Sequence, residues 1–195
     1  AAFGTQPRSP AALLFAGDTY AGLEARTLSD DGWRWSATNL RILSGLYGLL
    51  RPTDLIEPYR LEMGSRLANA HGVDLYAWWG NRIALALNAA ADEADADFLV
   101  NCASVEYFRA VDATALRPRL ITPVFLDGSD GQAKVISFWA KRARGAMARF
   151  ILDNRLSDPA ALRGFDGGGY RFQPEASTAE RMVFLREAQP AALSA

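Results

Sequence analysis

The tightest constraint on the fold is a change of hydrophobic period in the middle of the chain. Phe98-Leu99-Val100-Asn101-Cys102 and Leu120 to Leu126 are apolar runs of strand length. Phe138 to Leu152 instead repeats its apolar residues at helical spacing, with Phe138, Met147, Phe150 and Ile151 as candidate core contacts. Strands of period two and helices of period 3.6 within so short a span predict an α/β chain, with a mixed sheet flanked by helices.

The flanks fit that frame. Helical spacing appears around Asp18-Thr19-Tyr20-Ala21-Gly22-Leu23, and Ser36 or Thr38 is placed to cap a helix through Asn39 to Leu43 that stops at Gly45. Asp74 to Trp79 leads into an Ala/Leu-rich helix reaching Ala90, and Ser157-Asp158-Pro159 starts a short helix ending at Gly164. Asp127 to Gly131 reads as a hairpin joining Leu120–Leu126 to Ala133–Phe138. Tyr170–Phe172 and Met182–Leu185 read as a second strand pair. No repeat or linker divides the chain, so residues 1–195 are expected to be one domain. The chain begins Ala1-Ala2-Phe3, without an initiator Met, and that domain is expected to lack an N-terminal segment.

Composition removes several function classes. Half of the 195 residues are hydrophobic and 22% are charged, enough apolar mass for a core and too much for a disordered chain. One Cys and one His exclude a zinc site of four Cys/His ligands and a disulfide within the chain. There is no P-loop, no Gly-x-Gly-x-x-Gly, no His-Glu-x-x-His and no Gly-x-Ser-x-Gly elbow. Cys102 reads as a small buried hydrophobe and His71 as a surface residue of a polar turn; Trp33, Trp35, Trp78, Trp79 and Trp139 could stack on bases, but burial is the commoner fate of a tryptophan. No apolar run reaches the ~20 residues of a membrane-spanning helix, so no membrane association is expected.

The formal net charge of −1 speaks against a uniformly basic nucleic-acid binder, but it is an average. Residues 132–155 carry Lys134, Lys141, Arg142, Arg144, Arg149 and Arg155 against Asp153 alone, a local +5 that leaves −6 for the rest. Small residues among these cations (Ala140, Ala143, Gly145, Ala146, Ala148) would let a phosphate backbone approach closely. The same pattern also suits a solvated helix whose cations pair with acids elsewhere.

Two further segments are candidates. Leu40 to Pro52 carries Arg41, Gly45, Gly48 and Arg51, with Arg60 nearby, and a Gly-bearing hairpin between helices can aim backbone N–H groups at a phosphate. Its alternative is a buried turn packed by Leu40, Leu43, Leu46 and Leu49. Asn101 to Arg109 follows a strand, where α/β sites gather; Ser104, Glu106 and Tyr107 could line a pocket there with Lys134 and Lys141. The acidic run Asp92-Glu93-Ala94-Asp95-Ala96-Asp97 reads as a solvated helix end or loop, and with a single His an iron site ranks last.

Leu40 to Gly64, Asp74-Leu75-Tyr76 with Trp79-Gly80, Asn101 to Phe108, and Ile136-Ser137-Phe138 through Lys141-Arg142-Ala143-Arg144-Gly145-Ala146-Met147 closely resemble the signature of the peroxide stress protein YaaA family. The likeness runs from about Phe15 to Phe184. Members of that family begin with several dozen further residues, opening on an apolar strand. The resemblance implies a family-specific single-domain α/β fold with a helix-hairpin-helix-like element, for which Leu40–Pro52 is the candidate. It implies a cytoplasmic protein of the oxidative stress response that limits peroxide and iron damage and binds DNA in a basic cleft. The partner is then double-stranded DNA, bound without sequence preference at its phosphates, through Arg41, Gly45, Gly48, Arg51, Arg60, Lys134, Lys141, Arg142, Arg144 and Arg149. No catalytic residue, cofactor or metal comes with the resemblance. The competing expectation is an enzyme acting on a nucleic acid or a phosphorylated small molecule in the Ser104/Glu106/Tyr107 pocket. The sequence leaves the oligomeric state open.

Overall fold

A computed structural model describes residues 4–128 and 132–187. In chain order the elements are β1 (Ser9–Pro10), α1 (Ala11–Leu14), α2 (Asp18–Leu23), α3 (Asp30–Asn39), β2 (Ile42–Ser44), β3 (Gly48–Leu50), β4 (Leu55–Ile56), α4 (Leu75–Trp79), α5 (Arg82–Glu93), β5 (Phe98–Val100), α6 (Val105–Phe108), β6 (Arg119–Asp127), α7 (Ser137–Asn154), β7 (Arg171–Phe172) and β8 (Arg181–Arg186). The main sheet has the order β5-β6-β8-β7, with the first three strands parallel and β7 antiparallel to β8. It is mixed and flanked by helices, as expected.

The sheet and α7 make the largest core. Along β6 every second residue is buried (Ile121, Pro123, Phe125, Asp127), the alternation of a strand with one face against a helix. Ile121 and Phe125 meet Ala140, Ala143 and Met147 of α7, with Phe184, Tyr170, Leu162 and Phe165 closing the cluster. A second cluster joins Ala11, Leu23, Ile42, Leu50 and Ile56 to Leu152 of α7, and a third collects Met63, Leu75, Ile83, Leu87 and Val111. Strand β5 links two of them: Phe98 and Val100 lie against the sheet core and Leu99 against the third cluster. The three clusters belong to one domain because short elements contribute to two at once.

Helix α7 crosses α2 at two glycines. A Cβ at Gly145 would run into the carbonyl oxygen of Thr19, and one at Gly22 into that of Arg142. Only glycine at both positions lets these backbones touch.

Leu40 to Pro52 departs from expectation. The helix ends at Asn39, with Ser29 rather than Ser36 or Thr38 capping it by accepting from the Gly32 amide. Residues 42–50 form an antiparallel hairpin of β2 and β3, paired Ile42↔Leu50, Leu43↔Leu49 and Ser44↔Gly48. This segment is therefore not a helix-hairpin-helix element. Its apolar residues serve two clusters by strand alternation: Ile42 and Leu50 enter the second, and Leu43 and Leu49 pack against the third. Tightly linked short helices occur instead at α2 and α3, joined through Glu24 in the left-handed region (φ 50°) and a 3-10 turn at Ala25–Thr27.

Smaller differences have local causes. The helix expected through Ala90 is broken at Gly80 (φ 51°), which separates α4 from α5. The hairpin expected after Leu126 is reduced to one bridge, Asp127↔Lys134, before α7 begins; residues 129–131 of its loop lie outside the described residues. The short helix after Ser157 is a 3-10 turn (Pro159–Gly164) capped by Asp158 rather than Ser157. Among the described residues, no helix is long and apolar enough to cross a membrane.

Candidate nucleic-acid interface

The candidate cations differ in what they bind within the fold. Arg41 follows the last turn of α3, and its Nη1 donates to the carbonyls of Ala37, Thr38 and Leu40 while Nη2 reaches Glu93 at 3.2 Å. Those carbonyls are the acceptors a helix leaves free at its C-terminus, so Arg41 closes that end. Burial and the nearby Arg51 cation lower the Arg41 pKa, against the opposing charges of Glu93 and Asp54. Arg51 Nη2 also donates to Glu93, at 2.9 and 2.8 Å. Both arginines line a cleft of about 310 Å³ with Leu49, Asp54 and the alanines of α5. Glu93, read in sequence as part of a solvated acidic run, is their shared counter-ion, and Asp92 of the same run pairs with Arg117.

The two glycines of the hairpin are packing positions. A Cβ on Gly45 would lie 2.5 Å from the Leu61 carbonyl oxygen, and one on Gly48 (φ 73°) 2.7 Å from the Trp79 ring. The Trp79 indole N–H donates to the Gly45 carbonyl at 3.1 Å, so the hairpin grips a tryptophan. Arg60 is exposed, with Nε 3.4 Å from Glu62.

Along α7 the cations divide again. Arg149 reaches across to α2 and the turn after it, where Nη1 donates to the Glu24 carbonyl at 3.0 Å and the Thr27 hydroxyl at 2.6 Å; Nε bonds Asp153 at 2.8 Å. Arg144 is half-buried, with Nη1 donating to the Ala103 carbonyl at 2.8 Å. Its Nε is the single buried side-chain polar atom without a hydrogen-bond partner among the described residues. Burial lowers the Arg144 pKa. Burial also pushes the Cys102 thiol up to about 12, with the neighbouring Arg144 cation pulling the other way. Cys102 packs against the sheet core, the small hydrophobe expected.

Lys134, Lys141 and Arg142 differ from these. All three are exposed, two on the first turns of α7 and one just before it. Lys141 Nζ is 4.0 Å from Asp18, and Arg142 lies 5.9 Å from the Phe138 ring centroid. Among the described residues neither Lys134 nor Arg142 has an ion pair.

The alternative pocket separates into local roles. The Ser104 hydroxyl caps α6 by accepting from the Tyr107 amide. Glu106 is exposed; its Oε1 accepts from the Gly64 amide at 2.9 Å, and its carbonyl accepts from the Tyr76 hydroxyl. Burial raises the Tyr107 pKa, followed by the neighbouring Tyr59, Glu106 and Glu62. No group of three or more His, Cys, Asp and Glu that could hold a metal ion occurs among the described residues.

One cluster escaped the sequence reading. Asp127, at the end of β6, is buried and accepts from the Tyr170 hydroxyl at 2.8 Å and from Arg186 Nε at 2.7 Å. Burial, with the bond to Asp127 next, raises the Tyr170 pKa. The Arg186 guanidinium lies 4.4 Å from the Trp139 ring centroid and 4.9 Å from that of Tyr170. Asp127 falls in a run of turn-forming residues, and Arg186 stands 59 positions away, so no local pattern links them. Phe138 and Trp139, expected in the core, are 44% and 42% exposed.

A family model described as peroxide stress protein YaaA matches residues 1–176. A UPF0246 protein of Cereibacter sphaeroides is 63% identical over 177 residues, covering 91% of this chain and 69% of the relative. One of Dinoroseobacter shibae is 61% identical over 191 residues, covering 96% and 72%. One of Ralstonia nicotianae is 55% identical over 178 residues, covering 91% and 69%.

Proposed function

We propose, because the chain belongs to the peroxide stress protein YaaA family, that it is a double-stranded-DNA-binding protein of the peroxide stress response. On this reading it works in the cytoplasm and limits the damage done by peroxide and iron. Family membership supports the role in peroxide stress. One observation carries the DNA-binding part: Lys134, just before α7, and Lys141 and Arg142, in its first turns, are all exposed, and among the described residues the single ion pair of the three is Lys141 with Asp18 at 4.0 Å. The small residues expected to form this surface, Ala140, Ala143 and Gly145, are buried instead, but three exposed cations with one carboxylate neighbour still suit a phosphate backbone, which is read by charge and not by sequence. Arg41, Arg51, Arg144 and Arg149 hold the fold together and support the interface indirectly.

The test is the salt dependence of duplex affinity. Each phosphate contact contributes a slope of about −0.9 to log K against log salt concentration. Replacing Lys134, Lys141 and Arg142 by Ala should weaken binding to duplexes of unrelated sequence equally and flatten the slope by about 3. Unchanged affinity and slope in that variant would overturn the reading.

A further inference from the structure

The open end of α7 carries more than charge. Val135, Ile136, Phe138 and Trp139 are exposed by 58%, 38%, 44% and 42%, two apolar pairs on either side of Ser137, between Lys134 and the Lys141–Arg142 pair in sequence. A patch serving only the phosphates of an intact duplex has no use for aromatic rings in water, because paired bases keep their faces inside the stack.

Trp139 is also held in place from behind. The Arg186 guanidinium packs on it at 4.4 Å, and that guanidinium is fixed by buried Asp127, itself held by the Tyr170 hydroxyl. Phe138 meets Trp139 edge-on at 4.9 Å, with Arg142 against its own ring. The order from the core outward is carboxylate, guanidinium, indole, solvent. An indole supported in this way loses little freedom when a second flat group lands on its outer side. The neighbouring cations select an anionic ligand, and the rings select one with a π-face.

We propose that Trp139, backed by Arg186 and flanked by Phe138, is a stacking platform for an unpaired nucleobase of a nucleic-acid strand whose phosphates lie along Lys134, Lys141 and Arg142. The inference rests on the DNA-binding reading above and narrows its ligand to nucleic acid with at least one base out of the duplex stack. Stacking of a base on an aromatic side chain tolerates any sequence, in keeping with a backbone-reading protein.

The experiment compares fluorescence anisotropy of equal-length labelled oligonucleotides, one single-stranded, one fully duplex and one duplex with a central unpaired stretch. Wild type should bind the two forms containing unpaired bases more tightly than the duplex. Trp139→Ala should lose about tenfold on those two forms, the size of one stacked base, and little on the duplex. Trp139→Phe, which keeps a ring, should recover most of the loss. Equal losses on all three forms, or no loss on any, would overturn the platform and leave the backbone reading standing. Wild type that binds no form would overturn both. A Trp139-dependent affinity for anionic phosphatidylserine vesicles, with no oligonucleotide effect, would also overturn the platform by assigning the patch to lipid. Circular dichroism of each variant separates loss of binding from loss of fold.

Discussion

The two ends of α7 show how differently one helix can use the same residue types. Toward its C-terminal end, Arg149 spans to the turn after α2 and to Asp153, and in the middle of the helix Arg144 reaches the Ala103 carbonyl. Toward its N-terminal end, Lys141 and Arg142 stand in water beside exposed rings. A local charge of +5 suggests a single basic surface, but the available positive charge depends on partners, and half of these guanidiniums are occupied by backbone carbonyls. The hairpin repeats the lesson, since Arg41 and Arg51 share Glu93. Arginine closes helix ends and binds carboxylates in a fixed fork, so a count of arginines overstates the charge free to bind a ligand.

The largest expected effect lies beneath the N-terminal end. Asp127→Ala leaves Arg186 without its carboxylate and Tyr170 without its acceptor, and both are largely shielded from water. Removing one partner of a buried ion pair costs about 3–5 kcal/mol. Urea denaturation should show a loss of this size together with a change in tryptophan fluorescence as the support of Trp139 goes. A stability unchanged to within 1 kcal/mol would mean that water replaces the carboxylate and the platform is not rigid.

The C-terminal end should respond next. Arg149→Ala removes the donors to Glu24, Thr27 and Asp153, with an expected cost of about 2 kcal/mol by analogy with hydrogen bonds made by charged groups. DNA affinity, corrected for the folded fraction, should not move. A loss of affinity without a loss of stability would erase the distinction between the two ends of the helix.

Between the ends, Cys102 gives a pH signature of the Arg144 environment. Its folded pKa is raised by burial to about 12, above the usual thiol range, so the native state keeps a proton that the unfolded chain releases near pH 8.5. The associated stability is complete below that pH and declines as pH rises toward 12, because the unfolded state binds fewer protons in this window. Cys102→Ala should flatten the alkaline limb of a plot of unfolding midpoint against pH. An identical limb in both proteins would show that the thiol does not titrate across folding. Native protein should also react slowly with thiol reagents at neutral pH.

Much of the fold was readable because its signals are local. The α7 pattern, the strand at Phe98 and the C-terminal strand pair each depend on spacing within one element. Leu40 to Pro52 imitates a helix because Leu40, Leu43, Leu46 and Leu49 recur every three residues, whereas in the hairpin Ile42 and Leu50 enter one cluster and Leu43 and Leu49 pack against another. Which helical residues would lie exposed was equally out of reach: Phe138 and Met147 have the same apolar character, yet only Met147 faces the sheet. Sequence shows which residues are cations, but their availability depends on carbonyls and carboxylates such as Ala103 and Glu93, 41 and 52 positions away from Arg144 and Arg41.

The smallest effects on stability discriminate most sharply between the regions. Arg142→Ala and Arg60→Ala each remove an exposed cation, and each should change unfolding free energy by no more than about 0.5 kcal/mol. Arg60 is 92% exposed and sits 3.4 Å from Glu62, a surface pair worth little. By charge alone the two substitutions are equivalent, and by global net charge they are indistinguishable. If position decides, only Arg142→Ala should weaken duplex binding and flatten the salt dependence by about one unit of slope, because only Arg142 stands beside Lys141 at the open end of α7. Equal weakening by both would mean that diffuse charge governs binding and that the end of α7 has no special role.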